Sequence, residues 1–247
     1  MDEFQVNVYK ELSNLFKIQF NFFQEKNKPI LTIESHQLPI SITHKDRYFA
    51  YIIANKEQTA GIDYELNSKQ TEWLSFYNHF FDFKDLLLIQ KLNTHCHFDF
   101  AETMIFSMKE AVLKKQRLQI DPLLISFTNH QLISSINQKF HVHQFDVKIP
   151  HHAQAATEVV YCFLNIEKNE ILSICMNKQN QISTKDFTDY PNLESVDFSS
   201  VAQHLFVMKG MLLRAPDSFF PADLISDLIQ PYQIATGQKI HEPQQQQ

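Results

Sequence analysis

The sequence predicts an α/β chain of mixed helices and strands, and three observations carry that reading. Short segments rich in β-branched and aromatic residues, among them "RYFAYIIA" and "EVVYCFLNI", have the composition of strands. Longer segments place apolar residues at steps of three and four, the period of an amphipathic helix. The chain is 44% apolar and 13% aromatic, chiefly Phe, which suffices to pack helices on sheet.

Taken in order, Val8, Leu12, Leu15, Phe16, Phe20 and Phe23 predict a helix over residues 7–23. "EKNKPIL" comes next as a basic turn. "LPISITH" reads as a strand ending in a loop at His44, "RYFAYIIA" as a second and "TAGIDYE" as a third. The last two form a hairpin across the polar turn "NKEQ". Residues 70–92, with Trp73, Phe76, Phe80 and Phe81, read as one helix, and Phe76, Phe80 and Phe81 either belong to the core, the commoner case, or dock a partner's helix. "DFAETMIFSMKEAVLKK" is a further helix, with Asp99 as N-cap and Glu102 completing a capping box. "LLISF", "FHVHQFDVKI", "EVVYCFLNI" and "ILSICM" are strands, the last two joined by the hairpin signal "EKNE". Beyond residue 178 the prolines predict loops and short helices, and the Gln tail predicts disorder.

A net charge of −6 excludes bulk electrostatic binding to nucleic acid or to an anionic membrane. Cys96, Cys162 and Cys175 form no CxxC pair and leave an odd thiol, which fits a reducing compartment. With no signal peptide and no membrane-spanning apolar run, a cytoplasmic address is the expectation.

One of only three glycines, Gly61, stands in "AGIDYE". On a strand Asp63 and Glu65 project to one side, and Ile62 and Tyr64 to the other. A glycine inside a strand suits a bend or a close approach by a ligand or a neighbouring element. Asp63, Glu65 and Glu110 offer hard oxygen ligands, which favour Mg²⁺ or Mn²⁺ over zinc. The plain alternative for such an acidic pair is a solvated strand edge. The histidines at 95 and 97, 141 and 143, and 151 and 152 have no clean zinc spacing. Lys109, Lys114, Lys115 and Arg117 read as a basic surface patch, or as the solvated end of a helix.

"GIDYE" at 61–65 and "FSMKEAVLK" at 106–114 together resemble the paired motifs of the surfactin-synthetase-activating type of 4′-phosphopantetheinyl transferases, within the superfamily that includes holo-acyl-carrier-protein synthase. Those motifs are written GIDxE and (W/F)SxKEAxxK. "KNKP" and "PISITH" also look like the family's GKP segment and Ser-His loop, and "LQIDPLLISF" looks like the segment after the KEA helix. The resemblance covers residues 8 to 176. It implies two related subdomains facing each other about a pseudo-twofold. Residues 1–58 would be a shortened first half, 59–178 the second with the metal and KEA motifs, and 179–247 a C-terminal extension.

The resemblance also implies Mg²⁺-dependent transfer of 4′-phosphopantetheine from coenzyme A to a serine of an apo acyl or peptidyl carrier protein, releasing adenosine 3′,5′-bisphosphate. Asp63, Glu65 and Glu110 would hold the metal, with Mn²⁺ as a substitute. Glu110 would accept the serine proton, and Lys114 would neutralise phosphate charge. Lys28, Thr43, His44 and Lys114 would grip coenzyme A. Lys45 departs from the pattern, standing where a small residue is usual. The protein would act as a monomer in fatty-acid, polyketide or nonribosomal peptide synthesis. A degenerate homologue that binds coenzyme A or a carrier without transfer is the alternative, and an unrelated Mg²⁺-dependent phosphohydrolase is a third reading. Because the first half is short, its sheet needs a cover, and "VAQHLFVMKGMLLRA", with Lys209 and Arg214 turned toward coenzyme A, is the candidate.

Overall fold

Segments rich in apolar, β-branched and aromatic residues form strands, and a computed structural model arranges the described residues as mixed α+β with two antiparallel sheets and few helices. The structure describes residues 10–11, 23–25, 28–33, 36–46, 48–54, 59–67, 79–93, 100–116, 120–150, 158–178, 205–208, 211–216, 219–220 and 228–231.

The first sheet joins β1 (Phe23–Glu25), β2 (Lys28–Ile33), β3 (His36–Lys45) and β4 (Tyr48–Ile53) to three strands from far along the chain. These are β10 (Leu205–Met208), β11 (Met211–Arg214) and β12 (Ile229–Pro231). The order is β1-β2-β3-β4-β11-β10-β12. The second sheet contains β5 (Gly61–Leu66), β6 (Ser126–Ile136), β7 (Phe140–Lys148), β8 (Glu158–Asn165) and β9 (Glu170–Asn177), in the order β5-β9-β8-β7-β6. Helices α1 (Phe83–Asn93) and α2 (Ala101–Lys115) pack on one face of this second sheet.

The strands are turned largely without glycine. Asp46 between β3 and β4, Asn137 and Gln138 between β6 and β7, and Asn169 between β8 and β9 all take positive φ. Asn and Asp tolerate that region better than other side chains.

Two apolar layers result from the strand period of two. Ile62, Tyr64, Leu172, Ile174, Val159, Tyr161 and Phe163 face the first sheet, where they meet Ala50, Ile52, Met211, Leu213 and Phe206. Their neighbours Ile171, Cys175, Val160, Cys162 and Phe145 face Met104, Ile105, Met108, Ala111 and Val112 of α2. The near-continuous apolar runs of β8 and β9 are explained by this burial on both faces.

Several expectations are corrected. β4 and β5 do not form a hairpin: β4 lies between β3 and β11, and β5 pairs with β9. The helix expected over 7–23 does not reach its end, because Phe23 opens β1; Lys10 and Glu11 are helical. The helix expected over 70–92 is interrupted at Phe81–Asp82, and α1 starts anew with its own capping box. There the Asp82 amide donates to Asp85 Oδ2 at 2.8 Å, and the Asp85 amide donates to Asp82 Oδ1 at 2.9 Å. Trp73 and Phe76 lie outside the described residues, while Phe80 and Phe81 are core. Phe100, without a side-chain cap, precedes α2; Asp99 lies outside the described residues. Residues 205–208 and 211–214, expected among loops and helical pieces, are the antiparallel strands β10 and β11. The Gln tail also lies outside the described residues. No helix among the described residues is long and apolar enough to cross a membrane.

Candidate functional site: a carboxylate and lysine cluster between β5 and α2

Gly61 sets the geometry. A Cβ added there would lie 1.9 Å from the Ala111 carbonyl oxygen and 2.5 Å from the Lys115 amide nitrogen, so β5 passes against the backbone of α2 where only glycine fits. The expected close approach is therefore to a neighbouring element. Thr103 Oγ1 donates to Asn67 Oδ1 at 2.8 Å, tying the start of the helix to the end of the strand.

The contact brings the two motifs together. Lys114 Nζ donates to Asp63 Oδ1 at 2.6 Å. Glu110 lies one turn before Lys114 on α2. Burial, and next the Asp63 carboxylate, hold the Glu110 carboxyl above the ordinary range, against the opposing pull of Lys114. Burial likewise raises the Glu65 carboxyl, offset in part by Lys45, whose Nζ stands 2.8 Å from Glu65 Oε2. Ile62 and Tyr64 point away into the core, as the alternation predicts, and the Tyr64 hydroxyl donates to Glu170 Oε1 at 3.0 Å.

Strand β3 supplies the opposite wall. Ser41, Thr43 and Lys45 occupy one face of it at period two and meet β5 in sequence. The Ile62 amide donates to Ser41 Oγ at 3.1 Å, and the Tyr64 amide donates to Thr43 Oγ1 at 3.0 Å. Thr43 Oγ1 in turn donates to Asp63 Oδ1 at 3.2 Å. Side chains thus satisfy amides that a free strand edge would leave exposed. This row was not singled out from the sequence, although the alternation in "SITHK" is its signal.

Thr43 is only 4% exposed, and its hydroxyl both donates and accepts within the protein, so it positions Asp63 and is closed to coenzyme A. His44 is exposed at the end of β3, and Lys28 begins β2 with its backbone opposite Glu25.

Of the basic patch expected on α2, Lys109 and Lys115 are not surface residues. Lys109 is fully buried and donates to Phe80 O at 2.8 Å, Asp85 Oδ2 at 2.5 Å and Pro122 O at 2.9 Å. Lys115 is also buried and pairs with Glu158. Arg117 lies outside the described residues. Arg214 does not face the cluster either: its Nη1 donates to Phe49 O at 2.6 Å and its Nε lies 3.3 Å from Glu11 Oε1.

Two observations bear on a metal. Asp63 Oδ2 is buried and has no hydrogen-bond partner among the described residues, so one carboxylate oxygen is left able to accept a cation or a hydrogen-bond donor. The donor set is all hard oxygen, which fits Mg²⁺ or Mn²⁺. As the side chains stand, among the described residues no three His, Cys, Asp or Glu groups are arranged around one ion. The lysines hold the carboxylates instead.

A second polar cluster joins β6 and β7. Asn129 and His130 form a bulge opposite Phe145, and His130 Nε2 lies 2.9 Å from His143 Nδ1. His143 is 1% exposed, and burial, then His130, lowers its pKa to about 3, so the ring stays neutral. The two rings stack at the margin of the core. The chain matches no protein-family model and no curated protein.

Proposed function

We propose that this chain is a 4′-phosphopantetheinyl transferase, acting on coenzyme A and a serine of an apo acyl or peptidyl carrier protein. The observation that carries the reading is the junction at Gly61, where Asp63 of one motif accepts a hydrogen bond from Lys114 of the other and its charge raises the carboxyl of Glu110.

In this reading the two sheets belong to two related halves about a pseudo-twofold, and β10–β12 complete the shortened first half. Asp63, Glu65 and Glu110 would hold Mg²⁺ or Mn²⁺, which when bound neutralises the diphosphate of coenzyme A. Lys114 adds charge on the same side, Thr43 orients Asp63, and Lys28 and His44 take the remaining phosphates. The carrier serine Oγ bonds to the phosphorus bearing pantetheine as the bond from that phosphorus to the bridging oxygen breaks. Adenosine 3′,5′-bisphosphate leaves with the electron pair, and the serine proton passes to Glu110.

A second reading, binding of coenzyme A or a carrier without transfer, is favoured by the pairing of Asp63 and Glu65 with lysines. Incubation with coenzyme A, Mg²⁺ and a panel of apo carrier proteins separates the two. Transfer predicts that one carrier gains the mass of one phosphopantetheine, and that Asp63→Ala abolishes the gain in a folded protein. Coenzyme A binding with every carrier unmodified would select the second reading.

A further inference from the structure

Lys45 stands at the end of β3 with its ammonium 2.8 Å from Glu65 Oε2. It extends the row of Ser41 and Thr43, which is committed to holding β5, but its side chain is 44% exposed and contributes little to packing. Its partner Glu65 is 15% exposed and largely withdrawn from water. The two lysines of the cluster act differently. Lys114 takes Oδ1 of Asp63 and leaves Oδ2 without a partner, so Asp63 can serve an ammonium and a metal ion together. Lys45 brings a positive charge to a second carboxylate from the opposite wall, where a dication approaching Glu65 meets that charge and competes with its hydrogen bond.

We propose that Lys45 is a built-in rival of the divalent ion, which weakens metal binding by holding Glu65 away from an ion bound at Asp63. The inference rests on the metal reading of this cluster and adds to it a residue that tunes affinity. Its consequence is a site that needs a several-fold higher divalent concentration to fill than it would without Lys45.

The test is Mn²⁺ binding to the full chain, tracked by the paramagnetic signal of free Mn²⁺, with no substrate present. Lys45→Gln should lower the Kd for Mn²⁺ about threefold to tenfold, the range open to one partly exposed ion pair. Lys45→Arg keeps the charge and should leave Kd near wild type. Adding Glu65→Gln to Lys45→Gln should erase the gain. Equal Kd values for wild type and Lys45→Gln, with melting curves that show both folded, would overturn the proposal. So would a gain that survives Glu65→Gln, since Lys45 would then act on another group. If neither wild type nor Lys45→Gln binds Mn²⁺, the metal reading itself falls and the inference falls with it.

Discussion

Lys109 and Lys114 lie on one helix and serve opposite ends. Lys109 is buried with all three ammonium donors used, on Asp85 and two carbonyl oxygens, so it fastens α2 to the start of α1 and to the turn at Pro122. Removing one partner of such a pair costs about 3–5 kcal/mol, because the other charge stays buried. Lys114 is 30% exposed and, among the described residues, pairs with Asp63. Between them Glu110 carries a testable cost. Its carboxyl is raised chiefly by burial and next by Asp63. A group whose folded pKa lies above its unfolded pKa contributes its full stability below the unfolded value and loses it as pH rises through the folded value. Glu110→Gln removes that loss. The variant should therefore melt higher than wild type near neutral pH, with the difference closing toward about pH 4, while transfer is abolished. A melting difference that does not change between those pH values would show that burial of the charge is not its source.

At the scale of elements, the packing of β5 on α2 decides whether a site exists. Gly61→Ala places a methyl group inside the backbone of Ala111, where no flexible side chain can yield, so strand and helix must separate. The cost should reach or exceed the about 1–3 kcal/mol of ordinary overpacking. Denaturant midpoint and transfer rate should fall together. A variant with a wild-type midpoint would mean that the two backbones are not in contact. The failed β4–β5 hairpin has its explanation at this scale. A short polar turn between two strands favours local pairing, but both edges of β4 are already taken, by β3 and β11. β5 finds its hydrogen bonds on β9 and on the hydroxyls of Ser41 and Thr43.

Across the whole molecule, the first sheet is built from the two ends of the described chain. Three of its seven strands come from residues 205–231, and β11 covers the edge of β4 that would otherwise be open. The same segment places Phe206, Met208, Met211, Leu213, Phe219 and Phe220 in the core between the sheets. Arg214 then reaches Glu11 and the ring of Phe49, joining early and late parts of the chain. A chain ending at residue 178 should lose cooperative melting and aggregate, since it exposes both a strand edge and a large apolar face. A soluble truncated protein with an unchanged melting temperature would show that the late strands are dispensable.

By itself the sequence determined what is local or periodic. Strand alternation fixed the inward direction of Ile62 and Tyr64, and "EKNE" marked the β8–β9 hairpin. Gly61 announced a close approach, and the helical spacing of Glu110 and Lys114 placed them one turn apart. The tertiary structure decided the rest, because each remaining feature depends on a partner distant in the chain. Whether a lysine is patch or pin depends on Asp85 and Glu158. Whether Thr43 meets ligand or protein depends on the edge of β5 lying against β3. No period in the sequence encodes that "LFVM" and "MLLR" add strands to a sheet begun near the start of the described chain. An open strand edge accepts whichever segment best fills its hydrogen bonds and its apolar face, and that choice is made only when the whole chain has collapsed.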